Sequence, residues 1–242
     1  MAAFPLDVRP TRAVLVIADI SGFTRFMRLH ALADSHAKQI VVRLLTALVA
    51  RHRSPLRVAE LEGDAVFLWG PLDDHDRGVG VDLNEQLLGF FGAFRSEVAA
   101  LRALPLCVCG ACTNVSDLRL KQVVHVGEVA TERIGGFEKL FGIDVIVVHR
   151  MLKNSVGSDE YVLMTDAAHA VLGPPVAGGG GGVSVVEELD GIGDVPMVLY
   201  EAAGLEPFPE PPESARPGRL GTLRWKLGMH ACTVRNLVRP GR

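Results

Sequence analysis

Residues 14–24, VLVIADISGFT, run five apolar side chains into an acid, Asp19, and then into a Ser-Gly turn. The β-branched and apolar content of residues 14–18 predicts a buried strand. A carboxylate at the end of such a strand costs several kcal/mol to desolvate unless it is paired, hydrogen-bonded or metal-bound. A second acid poses the same problem further on. In LRVAELEGDAVFLWG, residues 56–70, two short extended runs break at Gly63 and Asp64, which predicts a tight hairpin with an acid at its tip. Taken singly, Asp19 would cap the SGFT turn through its own backbone, and Asp64 would be a turn residue. Taken together at adjacent strand ends, the two carboxylates make a site for one or two hard divalent cations.

The rest of the chain supplies elements around this pair. Its 242 residues are 48% hydrophobic and 22% charged, the balance of a folded globular protein. Asp34 or Ser35 can cap a helix whose Ile40, Leu44, Leu45, Leu48 and Val49 recur at helical spacing. A second amphipathic helix is expected over about Val79 to Leu101, and LRLKQVVHVGEV reads as a strand. GFEKLFGIDVIVVHRMLKN is expected to be a Gly turn followed by helix, with Val145, Val148, His149 and Leu152 on one face. YVLMT, VSVVEEL and PMVLYEA read as further strands, and the Gly178–Gly182 run as a surface loop. This order predicts an α+β domain, a mostly antiparallel sheet packed with helices in the ferredoxin-like manner. The expected divisions are an N-terminal extension at 1–11, the domain at 12–203, a Pro-rich linker at 204–219 and a basic amphipathic tail at 220–242.

ADISGFT, EGDAVFLWG, HVGEV and EKLFGIDVIVVHRM together resemble the catalytic domain of class III nucleotidyl cyclases, over roughly residues 12 to 203. The resemblance implies conversion of a nucleoside triphosphate to a cyclic nucleotide and pyrophosphate by a two-metal mechanism. It places Mg²⁺ or Mn²⁺ on Asp19, Ile20 and Asp64, and the phosphates on the turn residues Ser21, Gly22, Phe23 and Thr24. Glu60 falls at a base-recognition position, where a carboxylate favours guanine, and Lys139 falls at its partner position. A Glu60–Lys139 ion pair could fill that pocket. Arg150 matches a transition-state arginine. The accompanying asparagine position holds Ile146, and a phosphate-gripping lysine is replaced near Asp190. The resemblance also implies a head-to-tail homodimer. A catalytically inactive regulatory module that binds nucleotide or metal is the alternative outcome of these departures.

Cys107, Cys109 and Cys112 crowd into CVCGAC, which has no counterpart in ordinary cyclases. Three thiols at this spacing can ligate Zn²⁺ or an iron–sulfur cluster, with His125 or Cys232 as a further ligand. A redox thiol switch and buried reduced cysteines are the other readings. After Glu213 there is no acid and there are seven basic residues, Arg216 to Arg242. The net charge of −3 therefore leaves −10 on the rest. The basic tail would dock on its own domain, a dimer mate or a membrane surface. Nothing resembles a nucleic-acid-binding module. With no signal-peptide pattern and no spanning segment, the expected location is cytoplasmic.

Overall fold

The structure, a computed structural model, describes residues 10–29, 34–72, 79–103, 109–175 and 181–210. The basic tail, Cys107, Cys232 and most of the Gly178–Gly182 run lie outside the described residues.

The opening stretch is the centre of the molecule. Strand β1, Thr11–Ser21, pairs antiparallel with β3, Ala65–Pro71, on one edge and with β4, Arg119–Ile134, on the other. Both edges are thus hydrogen-bonded, and both faces are covered. Val14, Val16, Ala18 and Ile20 enter one hydrophobic core, whereas Ala13, Leu15 and Ile17 enter a second on the opposite face. Burial on both faces is why the strand reads as a continuous apolar run and not as an alternation. Each such Val, Leu or Ile contributes about 1.5–3 kcal/mol.

The sheet runs β2-β3-β1-β4-β6-β8-β7, with β5 added to β4. Here β2 is Arg57–Glu62, β5 Phe137–Phe141, β6 Tyr161–Thr165, β7 Val183–Leu189 and β8 Gly193–Glu201. The β4–β6 pair is parallel, and all the others are antiparallel. The mainly antiparallel α+β architecture expected from the sequence is the one observed.

Helices cover the sheet unequally. On the first face lie α2, Asp34–Arg51, α3, Val79–Arg102, and the short α6, Asp166–Leu172. They bury Ile40, Leu44 and Leu48, then Leu83, Leu87, Phe90, Phe91 and Phe94, and finally Ala168 and Leu172. The 3- and 4-residue spacing of these positions is the helical stripe that the sequence shows. Two short helices, α1 at Phe23–Leu29 and α4 at Gly110–Thr113, pack beside α2. The opposite face is covered by α5, Ile143–Arg150, through Val147 and Val148.

One expectation needs correction. GFEKLF is not the lead-in to a helix: residues 137–141 are strand β5, and only Ile143 onward is helical. Gly135 and Gly136 have φ of 57° and 91°, the paired left-handed residues that a two-residue hairpin requires. They fold β5 back on the overhanging end of β4, with Ile134 opposite Phe137 and Ala130 opposite Phe141. The chain also stays packed beyond residue 203. Leu205 is buried, and Phe208 stacks on Phe91 of α3 with the Arg95 guanidinium over its ring.

Candidate functional site

Pairing of β1 with the β2–β3 hairpin sets Asp19 opposite Ala65, so Asp64 in the turn stands beside it. The Ile20 amide donates to the Asp64 carbonyl at 3.3 Å, which locks the two chain segments together. A protonated Asp64 carboxyl can donate to the Asp19 carboxylate, which favours its neutral form. Half-burial, then the neighbouring Asp19 charge, pushes the Asp64 carboxyl up from 3.8 to about 6. Two carboxylates forced together in this way are a donor set that fits a hard divalent cation.

A third group enters the site unannounced. Lys121 on β4 is the cross-strand partner of Asp19, and its Nζ stands 3.2 Å from Asp19 Oδ2. The same ammonium donates to the Leu152 carbonyl at 3.4 Å, and its charge opposes the rise of Asp64. Lys121 thus supplies, from within the chain, one of the positive charges that a bound ion would bring.

Beyond Asp19 the chain turns through Ser21 and Gly22. Gly22 has φ of 84°, and its carbonyl accepts the first bond of α1 from Phe26 at 2.9 Å. A Cβ added at Gly22 would meet the Asp117 carbonyl at 3.6 Å, so the turn rests on the segment that precedes β4. Ser21 is buried, Phe23 packs against the core, and Thr24 is exposed. The Ile20 amide already serves Asp64 and is not free for a phosphate.

The remaining positions lie across the α5 face. A cleft of about 550 Å³ is lined by Val145, Ile146, His149, Arg150, Lys153 and Asp190, among others. Arg150 donates to Asp190 at the β7–β8 turn, and this contact holds the Asp190 carboxyl below its ordinary value. Ile146 is 47% exposed and offers no hydrogen bond. His149 Nε2 is 2.9 Å from Glu62 Oε1, with its ring edge-on to Phe67. Glu60 of β2 and Lys139 of β5 form an ion pair that is about half exposed. At that exposure it contributes about 1 kcal/mol at most, but it does occupy both partners.

The thiols lie elsewhere. Cys109 precedes α4 and Cys112 sits within it. The imidazole facing them belongs to His36 on α2, not to His125. The His125 ring bridges Thr165 Oγ1 at 2.9 Å and Asp144 Oδ1 at 2.8 Å, a satisfied core position. Sequence reasoning missed both Lys121 and His36. His36 was visible as an imidazole four residues before Ile40 on the apolar stripe of α2. Lys121 became visible only once the strand register placed it opposite Asp19.

The fold is shared with nucleotidyl cyclases of known structure. A bacterial light-regulated adenylyl cyclase superposes with a TM-score of 0.58 at 15% identity, over 94% of this chain and 59% of that one. A class III adenylyl cyclase-like ATP-binding protein from Pseudomonas aeruginosa gives 0.55 at 17% identity, over 69% and 37% of the two chains. The adenylyl cyclase CyaB from P. aeruginosa gives 0.53 at 12% identity, over 81% and 97%. Identities this low speak to the fold alone. In sequence, the chain is 38% identical over 111 residues to the uncharacterised protein Rv2561/Rv2562 of Mycobacterium tuberculosis (strain ATCC 25618 / H37Rv). That stretch is 46% of this chain, which spans about half the length of the relative. The model of a family described as "Protein of unknown function (DUF2652)" matches residues 41–161, half of the chain, from α2 through β4 and α5 to the first residue of β6. A cyclase-like fold carrying this sequence core makes the chain a member of the DUF2652 family.

Proposed function

We propose that the chain is a cyclase-homology domain that binds a nucleoside triphosphate with a divalent cation, and that it serves as a regulatory module and not as a turnover enzyme. The observation that carries this reading is the Arg150–Asp190 pair. Arg150, the cation at the transition-state position, is held by a carboxylate at a position where a second cation would be needed. Removing one such preorganised donor costs about 10²–10³ in rate. Ile146 removes a further polar contact, and the Glu60–Lys139 pair closes the base position on itself. Asp19 and Asp64 would still hold one divalent ion, which supplies charge neutralisation for bound phosphates. One fold neighbour is itself described as an ATP-binding protein of cyclase-like class, so binding as an end in itself is compatible with this architecture.

The exposed apolar side chains of the β4–β5 arm and of α5 support a two-copy assembly. Ile134, Phe137, Phe141, Ile143 and Ile146 are 45–74% exposed, large apolar side chains that a monomer would leave wetted. A second reading, slow cyclisation by such a dimer, draws on the convergence of Asp19 and Asp64.

Purified protein should be incubated with each of the four ribonucleoside triphosphates and Mn²⁺, and assayed for pyrophosphate and cyclic product. Binding should be followed by calorimetry in parallel. The expected result is nucleotide binding that needs Mn²⁺ and is lost in Asp19→Ala, with no cyclic product. Cyclic product that disappears in Asp19→Ala would replace this reading with the second one. Absence of any binding would remove both.

A further inference from the structure

The α2 and α4 helices meet through three side chains that the nucleotide site does not use. His36 Nδ1 lies 3.4 Å from Cys109 Sγ and 3.7 Å from Cys112 Sγ. The three ligand atoms all fall within 4.8 Å of one another. The His36 side chain is only 4% exposed, and both cysteines pack against the main core. We infer that His36, Cys109 and Cys112 form a binding site for a thiolate-preferring divalent cation, with Zn²⁺ as its resident ion.

The distances carry the first part of the case. A tetrahedral zinc holds imidazole nitrogen at about 2.0 Å and thiolate sulfur at about 2.3 Å. Two such ligands then stand roughly 3.5 Å apart, nitrogen to sulfur. The observed 3.4 and 3.7 Å bracket that value, for both sulfurs and from a single nitrogen. A neutral imidazole nitrogen has one proton to give or one lone pair to offer, so it serves two thiols poorly as a hydrogen-bonding group. It serves well as one corner of a polyhedron whose other corners are those thiols.

The second part comes from the segment itself. Helix α4 is one turn of four residues, and its leading residue Cys109 provides no side-chain cap. A single turn has no stability of its own, because nucleation fixes several dihedrals for one hydrogen bond. A metal bridging Cys109 and Cys112 to a rigid 18-residue helix offsets that ordering cost. Two cysteines three apart at the start of a helical turn, with a histidine on a neighbouring helix, give the soft donor set that separates this site from the carboxylates of Asp19 and Asp64. The described residues thus supply three ligands to the ion.

The site also has a place in the architecture. From α4 the chain passes through a short 3-10 helix, Val115–Asp117, and the Asp117 carbonyl is the atom against which Gly22 rests. The metal therefore fastens the segment that backs the turn after Asp19.

The full-length chain, reduced and stripped of metal, should be titrated with Co²⁺ in excess Mg²⁺, which saturates carboxylate sites and leaves thiolates open. Expected are one cobalt per chain, a thiolate-to-cobalt charge-transfer band and tetrahedral ligand-field bands, all displaced by one equivalent of Zn²⁺. His36→Ala and Cys112→Ser should each weaken binding at least tenfold, with the far-ultraviolet circular dichroism of the wild type retained. A folded wild-type chain showing no charge-transfer band overturns the inference, and so does His36→Ala with wild-type affinity. Should a variant fail to fold, the wild-type titration still decides. Nucleotide binding is not part of this readout, so either idea can fail without the other.

Discussion

Replacing Asp64 by Asn should stabilise the metal-free protein at neutral pH, although it deletes a candidate metal ligand. Burial and the Asp19 charge raise the Asp64 carboxyl from 3.8 to about 6. A carboxyl that titrates higher in the folded chain than in the unfolded one keeps its proton longer when native. Its contribution to stability is therefore complete below pH 3.8 and is lost as the pH rises through 6. The full displacement corresponds to about 3 kcal/mol. Because the side chain is only half-buried, solvent screening reduces this to about 1–2 kcal/mol. Asn cannot ionise and escapes the loss. Urea denaturation in EDTA should find wild type and Asp64→Asn within about 0.5 kcal/mol of each other at pH 4, with the variant about 1–2 kcal/mol more stable at pH 7.5. Groups common to both proteins cancel in the difference, including Asp190 with its opposite displacement. Added Mn²⁺ should reverse the order at pH 7.5, because it binds the native wild type and not the variant. A difference that stays constant from pH 4 to 7.5 would refute the claim that Asp64 is held against its preference for charge.

Two further outcomes concern the neighbour of this carboxylate pair and the α5 cleft. Lys121→Met removes the ammonium 3.2 Å from Asp19. The metal-free chain should lose stability, whereas Mn²⁺ affinity by calorimetry should rise at least tenfold, about 1.4 kcal/mol; unchanged or weaker binding would show that the lysine does not compete with the ion. Asp190→Asn frees Arg150 from its carboxylate partner, so Mn²⁺–triphosphate affinity should rise several-fold, and the gain should vanish in the double variant with Arg150→Ala.

The elements that could be read from the sequence are those whose surroundings leave a periodic trace. β1 is apolar on every side because it is paired on both edges and covered on both faces, and α2 and α3 show their buried stripes at helical spacing. β5 was misread because its partner is the overhang of β4 and not the packed sheet. It lies exposed, so FEKLF carries no burial pattern, and only Gly135-Gly136 marks the hairpin. Asp19 and Asp64 could be picked out because a carboxylate is anomalous at a buried strand end. Lys121 and His36 escaped for the converse reason. A lysine on a strand and a histidine near a helix start are ordinary locally, and only tertiary register gives them partners. His125 was the reverse case, an imidazole that stood out near the cysteines in sequence and is satisfied by Thr165 and Asp144 in space.

Around the candidate site, Lys121 is paired with Asp19, Lys139 with Glu60 and Arg150 with Asp190, whereas Lys153 of the α5 cleft belongs to none of these pairs. Each of these three positive charges is cancelled within a few ångströms by an acid of the same chain, so the pairs themselves add little attraction for a polyanion. Left to these pairs, association would run at the roughly 10⁵–10⁶ M⁻¹s⁻¹ of uncharged partners and would not be accelerated toward 10⁸ M⁻¹s⁻¹ by steering. Freeing any one of these three cations is therefore expected to speed the association of a polyanion and to make its rate fall with added salt.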